Sequence, residues 1–178
     1  SEAGNLKAVE AELPRLKKTG VDIIWLMPIF PIGEKKRKGS LGSPYAVRDY
    51  KAVNPDYGTI EDLKNLVKAA HGMDMKIILD WVPNHTSWDH VWLENHTDFH
   101  EKFNGEYTVP LNEHGEPIED WADVMGLNYD NAEMRLEMID ALKFWVEQCD
   151  IDGYRFVMAG LVPNDCWPQL RAPFDTPT

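Results

Sequence analysis

The stretch KIILDWVPNHT, residues 76–86, decides the fold of this chain. Its first seven residues are mostly apolar, with Asp80 as an exception near the end, which is typical of a strand buried on both faces of a sheet. Pro83 ends the run, and the polar residues Asn84 and His85 follow directly. Reactive groups in parallel α/β sheets lie at the carboxyl ends of the strands, so the stretch predicts both a parallel sheet and the edge at which a site would form.

Two other apolar runs predict neighbouring strands. The run VDIIWLMPIF at 21–30 contains Pro28, is followed by Pro31, and predicts a strand buried on both faces. The run at 151–158 predicts a third strand. Apolar residues recur at helical spacing in the segments around these strands. They predict helices at 5–19, at 59–70 and after Asn131, which is a favourable residue for a helix start.

This alternation of helices and strands with short turns is typical of βαβ units, and the fold class is therefore α/β. A closed barrel of eight strands needs about 250 residues, and the chain has 178. We therefore expect a partial (β/α)8 barrel, or TIM barrel. The expected units are barrel elements at 1–82, a short inserted domain at 83–130 after the DWVPNH strand, and a barrel helix, strand and C-terminal tail at 131–178.

Composition argues against several classes of function. A net charge of −12 argues against nucleic acid and anionic membrane surfaces as partners, because both need clustered Lys and Arg. The basic run GEKKRKGS at 33–40 is interpreted as a solvated loop. No apolar run approaches the roughly 18 residues of a membrane span, and no signal-peptide pattern precedes the first helix. Cys149 and Cys166 lack a CxxC spacing and indicate neither a disulfide framework nor a zinc site.

Arg155 is the one charge in the apolar run GYRFVMAGLVP, which begins at Gly153. An unpaired buried guanidinium is costly, so a partner carboxylate is expected. The residue two positions on, which shares its strand face, is Val157. The sequence thus predicts a buried, partnerless arginine, which Val157→Asp would stabilise. The alternatives are that Arg155 reaches solvent or pairs with Asp80 across the sheet edge.

Each of the three predicted strands has polar residues near its carboxyl end, either within the strand or in the loop that follows it. This pattern favours a functional site at the carboxyl edge of the sheet. Asp80 is a candidate catalytic carboxylate, with a structural hydrogen-bond acceptor as the alternative. The loop after the first strand contains SPYAVRDY, with Tyr45, Asp49 and Tyr50.

Four segments resemble, in order and spacing, the alpha-amylase family of glycoside hydrolases (family 13). They are GVDIIWLMPIF at 20–30, GSPYAVRDYKAVNPDYGTIEDLKNLV at 42–67, ILDWVPNHT at 78–86 and DWADVMGLNYDNAEMR at 120–135. The DGYR sequence ending at Arg155 also opens like that family's G-x-R-x-D block. The resemblance covers most of residues 5–165.

The resemblance implies retaining hydrolysis of α-1,4-linked glucans such as starch and maltooligosaccharides, with two carboxyl groups about 5 Å apart in the site. It implies that Tyr45 stacks on the sugar, that His85 bonds its hydroxyls and that Arg155 holds the nucleophile ionised. No cofactor is required, but calcium at Asn84 is implied. Extracellular or periplasmic localisation is typical of the family.

The sequence departs from the family at the nucleophile, where Val157 replaces the expected aspartate. No Glu follows residue 158, so the acid/base is absent from these residues as well. The prediction is therefore a glycoside hydrolase whose activity as this chain alone is doubtful. The alternative is a silent fragment that binds oligosaccharide or assembles with another chain. The open sheet is expected to form a homo-oligomer or to associate with the missing barrel half.

Two further hypotheses concern aromatic and histidine side chains near the insertion. One assigns sugar stacking to four tryptophans, with core packing as the alternative: Trp81, Trp88, Trp92 and Trp121. The other is a metal site, in which His96 and His100 would share a helical face. It draws on four histidines: His85, His90, His96 and His100.

Overall fold

The computed structural model describes residues 4–175 and contains seven strands and four α-helices in this range. The strands are β1 (Ile23–Leu26), β2 (Lys76–Trp81), β3 (His85–Ser87), β4 (Lys102–Phe103), β5 (Glu106–Tyr107), β6 (Val124–Gly126) and β7 (Gly153–Phe156). The helices are α1 (Leu6–Lys18), α2 (Ile60–Gly72), α3 (Ala132–Cys149) and α4 (Cys166–Arg171). The first three and last three residues of the predicted barrel units lie outside the described range.

The main sheet contains β1, β2 and β7, all parallel, with β2 in the centre. Within residues 4–175 this sheet does not close on itself, and helices pack on one of its faces. The predicted α/β class and the partial barrel are therefore confirmed. The register aligns Asp80 of β2 with Arg155 of β7, which places both side chains on the same face.

Capping residues fix where the three long helices begin. The side chain of Asn5 accepts a hydrogen bond from the backbone of Ala8, and α1 starts at the next residue. Thr59 and Asp62 form a reciprocal capping box at the start of α2. Asn131 caps α3, as predicted. These local signals explain why the helix positions follow directly from the sequence.

The core lies between the main sheet and the helices, and aromatic residues form its centre. The rings of Tyr50 and Trp81 stack with centroids 4.9 Å apart. The indole N–H of Trp145, from α3, donates a hydrogen bond of 2.7 Å to the backbone oxygen of Tyr50. Phe30 contacts all three rings edge-on or tilted. This cluster joins the loop after β1, the central strand and α3 into one packed unit.

The opposite face of the sheet is open, and the prediction that the first strand is buried on both faces is wrong. The strand covers only Ile23–Leu26 of the predicted run 21–30. Ile23, Trp25 and Met27 are 59%, 48% and 55% exposed. A continuous apolar run indicates that both faces of a strand are apolar. It does not indicate whether the described residues include a second layer that covers the other face of the sheet. We call these three side chains the open sheet face.

The segment between β2 and α3 folds into two small antiparallel sheets. Strand β3 pairs with β6, and β4 pairs with β5 in a short hairpin. The first pairing places the stretch just before β6 beside the polar residues that follow β2. The division of the chain at 83 and 130 stays a prediction.

The basic loop at 33–40 lies against this segment, although most of its residues are exposed. The Lys36 ammonium is 3.2 Å from the centroid of the Trp88 ring. Lys38 donates a hydrogen bond of 2.7 Å to the backbone oxygen of Asp120. The interpretation as a simple solvated loop is therefore incomplete.

In the part of the chain that the structure describes, no helix combines the length and apolar character that crossing a membrane requires.

Candidate functional site

Asp80 is the centre of the candidate site at the carboxyl edge of the main sheet. Its side chain is 0% exposed. The Arg155 guanidinium lies 3.3 Å from both carboxylate oxygens, through the same Nη1 atom. The Tyr45 hydroxyl donates a third hydrogen bond of 3.2 Å. A buried carboxylate is stable only when it is paired or hydrogen-bonded, and Asp80 has both kinds of partner.

Arg155 is neither buried nor partnerless, so that prediction is wrong. Its side chain is 47% exposed, and it lies over the Trp25 ring with 4.7 Å between the guanidinium carbon and the ring centroid. The partner is Asp80, on the neighbouring strand 75 residues earlier. Arg155 therefore does both things that the sequence offered as alternatives: it reaches solvent, and it pairs with Asp80.

Val157 follows β7 directly, and its backbone N–H donates a hydrogen bond of 2.8 Å to the oxygen of Trp81. The side chain is half-buried. Because Arg155 already pairs with Asp80, an aspartate at position 157 would introduce a second carboxylate beside a satisfied pair. Val157→Asp is therefore not expected to stabilise the chain, contrary to the prediction from the sequence.

Tyr45 is placed by the loop between β1 and α2, and its ring is half-buried. Burial and the neighbouring negative charge of Asp80 raise the pKa of its hydroxyl. The group therefore stays protonated across the physiological range and remains a hydrogen-bond donor toward Asp80.

His85 opens β3 and is almost completely buried. Burial lowers the pKa of its imidazole to about 4, against a smaller raising effect of Asp123 and a hydrogen bond to the backbone of Tyr45. The ring is therefore neutral at pH 7, with one donor and one acceptor nitrogen. A neutral imidazole suits hydrogen bonding to uncharged hydroxyl groups.

Asn84 is buried between β2 and β3, and its side-chain nitrogen lies 3.2 Å from Nδ1 of His85. Calcium requires six to eight oxygen ligands, often with carboxylates among them. Residues 4–175 contain no group of three or more His, Cys, Asp or Glu side chains that could hold a metal ion. The described residues thus offer no carboxylate cluster that fits calcium, and its binding at Asn84 stays a prediction from the resemblance.

The histidine hypothesis fails on local geometry within the same range. The short 3₁₀ helix Val91–Glu94 ends before His96, so His96 and His100 do not share a helical face. The His96 ring instead stacks on Phe99, with centroids 3.9 Å apart.

The four tryptophans of the stacking hypothesis lie in different environments. Trp81 is fully buried in the core, and Trp92 packs against Tyr50 and Phe99. Trp88 lies under Lys36. Trp121 borders the candidate site, because its ring meets that of His85 edge to face at 5.7 Å. Trp81 and Trp92 thus pack in or against the core, whereas Trp121 is the tryptophan of this set that lies beside the candidate site.

Three further residues at the site were not predicted from the sequence: Trp25, Lys38 and Asp123. Trp25 lies beneath Arg155, and its position in an apolar run suggested only burial. Lys38 forms an ion pair of 3.1 Å with Asp123. No short-range pattern links two residues so far apart along the chain.

Comparison with known proteins supports the resemblance to the alpha-amylase family. A family model described as the alpha amylase catalytic domain matches residues 1–126. Alpha-amylase 3 of Dictyoglomus thermophilum is 32% identical over 91% of this chain and 34% of its own length. Trehalose-6-phosphate hydrolase of Bacillus subtilis is 31% identical over 91% of this chain and 32% of its own length. The chain thus spans about a third of the length of these curated relatives.

A solved structure gives the same result for the fold. The crystal structure of an alpha-amylase from Lactobacillus plantarum superimposes with a TM-score of 0.88 at 45% sequence identity. The match covers 97% of this chain and 39% of that one. With the family match over residues 1–126 and this agreement in structure, the chain belongs to the alpha-amylase family of glycoside hydrolases.

Proposed function

We propose that this chain holds the sugar-binding side of an alpha-amylase-type site for α-1,4-linked glucans, and that it binds these sugars without cleaving them. The observation that supports this most directly is the connected set of Tyr45, Asp80, His85 and Arg155 at one edge of the sheet. The similarity to two proteins named alpha-amylases favours glucans over other sugars.

Each of these residues has a role that follows from its surroundings. The half-buried Tyr45 ring offers an aromatic face to the apolar side of a sugar ring, while its hydroxyl is held by Asp80. His85, neutral because it is buried, exchanges hydrogen bonds with sugar hydroxyls. Arg155 neutralises Asp80 and projects donors toward solvent, where a ligand oxygen can accept them.

The same geometry argues against turnover by this chain. A retaining mechanism needs a carboxylate nucleophile and a carboxylic acid about 5–5.5 Å apart. Val157, at the position that the resemblance gives to the nucleophile, has no nucleophilic atom. Asp80 is fully buried, and Arg155 and Tyr45 hold its oxygens. We therefore propose a structural and positioning role for Asp80.

The first prediction concerns hydrolysis. Incubation of the purified chain with maltoheptaose at pH 7 should release no reducing sugar above the buffer blank, because no nucleophile is positioned. Val157→Asp should not restore activity, since no glutamic acid follows in these residues. If reducing sugar is released and the release disappears in Asp80→Asn, Asp80 is catalytic and our assignment of roles is wrong.

The second prediction concerns association, which we propose occurs through the open sheet face. Exposed apolar side chains on a sheet favour burial against another surface. In a solution of the purified chain the available partner is a second copy. Static light scattering at micromolar concentration should give a dimer or larger assembly, and Ile23→Lys should shift it toward the monomer.

Leu41→Lys is the matched control, because Leu41 is 83% exposed in the loop between β1 and α2 and is not one of the three side chains of this face. It should leave the assembly unchanged. A wild-type chain that is monomeric at these concentrations would remove the basis for this proposal.

A further inference from the structure

The basic loop at 33–40 and the segment between β2 and α3 carry opposite net charges. The loop contains three Lys and one Arg against one Glu, whereas residues 83–130 contain eleven Asp and Glu side chains and one Lys. Opposite charges attract over short distances, and dissolved salt screens this attraction where the charges are exposed. The charge pattern therefore favours contact between the loop and the segment, and it makes such contact sensitive to salt.

The basic loop begins at a closely packed glycine. Gly33 is buried, and a Cβ atom at this position would lie 2.1 Å from Cβ of Ser87, so no side chain fits there. The backbone N–H of Glu34 donates a hydrogen bond of 3.0 Å to the carboxylate of Asp89. Ser87 and Asp89 both belong to the segment between β2 and α3. The start of the loop is thus fixed on that segment, whereas residues 34–40 are exposed.

Lys36 provides the first side-chain contact of the exposed part. Its ammonium lies over the Trp88 ring, and the indole N–H of Trp88 donates a hydrogen bond of 3.0 Å to the backbone oxygen of Ala122. The ring that receives Lys36 is therefore itself held by the stretch just before β6.

Lys38 provides the ionic contact of the loop. Its ammonium lies 3.1 Å from the carboxylate of Asp123 and also donates to the backbone oxygen of Asp120. The Asp123 side chain is only 10% exposed, whereas that of Lys38 is 59% exposed. This ion pair can open by movement of the lysine alone, without displacing the packed carboxylate. Lys38 is thus the contact at which the loop can be released.

We propose that the basic loop is a salt-sensitive strap, closed by the ion pair of Lys38 and Asp123, which narrows access to the candidate site. Both residues line a cavity that is also lined by Tyr45 and His85, so the closed loop forms part of its wall. When the ion pair breaks, the exposed part of the loop moves away, while the bond of Glu34 to Asp89 keeps its start in place. This device is independent of the ligand that the site binds.

Limited digestion with trypsin, with cleavage sites assigned by mass spectrometry, measures the opening of the loop. Trypsin cleaves after Lys and Arg in exposed, mobile segments, and the cleavage rate reports the population of the open form. At low salt, Lys38→Gln and Asp123→Asn should each raise the rate of cleavage after residues 35–37 by about fivefold. Cleavage after Lys64 and Lys68 in α2 should stay at the wild-type rate, since the core remains folded.

Salt provides a second measurement on the same chains. Between about 50 mM and about 500 mM sodium chloride, loop cleavage of the wild type should rise severalfold, because screening weakens the exposed ion pair. Asp123→Asn should lose most of this rise, since its ion pair is already absent. Comparing the two proteins at each salt concentration cancels the effect of salt on trypsin itself.

Lys143→Gln is the matched control, because Lys143 pairs with Glu147 on the exposed side of α3. It should keep the wild-type rate of loop cleavage and its salt dependence. An unchanged rate in both Lys38→Gln and Asp123→Asn, including no cleavage at all, overturns the strap. Equal salt dependence in the wild type and Asp123→Asn also overturns it. An equal rise in cleavage within α2 would show general unfolding and would overturn it as well.

Discussion

Replacing Arg155 with methionine should lower the free energy of unfolding by about 3 kcal/mol at pH 7. The substitution leaves the carboxylate of Asp80 fully buried with only the Tyr45 hydroxyl as a polar side-chain partner. A buried charge without its counterion is strongly destabilising, whereas the methionine stem retains much of the packing on Trp25. Urea denaturation followed by circular dichroism measures the difference.

A double-mutant cycle separates the pair from other contacts of Arg155. In an Asp80→Asn background the carboxylate is absent, and Arg155→Met should cost less than about 1 kcal/mol. Arg171→Met is a surface control, since Arg171 and Asp175 form an exposed pair whose loss should change stability by about 0.5 kcal/mol or less. Equal costs of Arg155→Met in both backgrounds would show that Arg155 stabilises the chain through Trp25 and not through Asp80.

Acidification from pH 7 to pH 4.5 should destabilise the chain by several kcal/mol, mainly through three buried histidines. Burial lowers the pKa of His85 and of His100 to about 4, and burial and the nearby His100 lower the pKa of His90 well below its ordinary value. In the unfolded chain these rings titrate near pH 6.5. For His85 and His100 the difference corresponds to roughly 3 kcal/mol each.

The sign follows from proton binding. Between pH 6.5 and pH 4 the unfolded chain binds more protons at these residues than the folded chain does. The stabilisation is therefore complete above pH 6.5 and is lost as the pH falls toward the folded values. Asp152, whose pKa is also lowered in the folded chain, likewise loses its stabilising contribution as the pH falls, but at lower pH than the histidines. Burial raises the pKa of Asp152, but hydrogen bonds from His71, from Lys76 and from the backbone of Ile77 outweigh burial and lower it.

Substitution of single histidines tests this assignment. Nε2 of His100 is 2.8 Å from the Thr86 hydroxyl, and His100→Gln can keep that hydrogen bond while removing the titrating group. The variant should lose less stability between pH 7 and pH 4.5 than the wild type does, as judged from urea midpoints. His114→Gln is the exposed control and should keep the wild-type pH dependence. An unchanged pH dependence in His100→Gln would assign the acid sensitivity to other groups.

The helices and the parallel strands were predictable because their signals are local. Asn5, Thr59 and Asn131 cap helices through bonds that span three residues, and the apolar runs mark the strands directly. The strand at 21–30 was predicted too long, because buried coil residues such as Ile29 and Phe30 are as apolar as strand residues. Sequence pattern reports burial more reliably than it reports backbone conformation.

The candidate site was predictable only in part. Tyr45, Asp80, His85 and Arg155 were identified individually, and their position at one edge followed from the parallel sheet. The ion pair of Asp80 and Arg155 depends on the register between β2 and β7, which no spacing within one strand reveals. The ion pair of Lys38 and Asp123 depends on how a loop meets a separate segment 85 residues later. Such contacts are set by tertiary packing.

The aromatic cluster of Phe30, Tyr50, Trp81 and Trp145 has a consequence for the order of folding during synthesis. All four rings and the helices that cover them lie within residues 4–175, so this core needs no contribution from elsewhere to become dry and packed. A nascent chain that has released α3 from the ribosome can bury the cluster immediately. The open sheet face is still exposed when this core has packed, and exposed apolar surface of this kind favours aggregation and chaperone binding in folding chains generally.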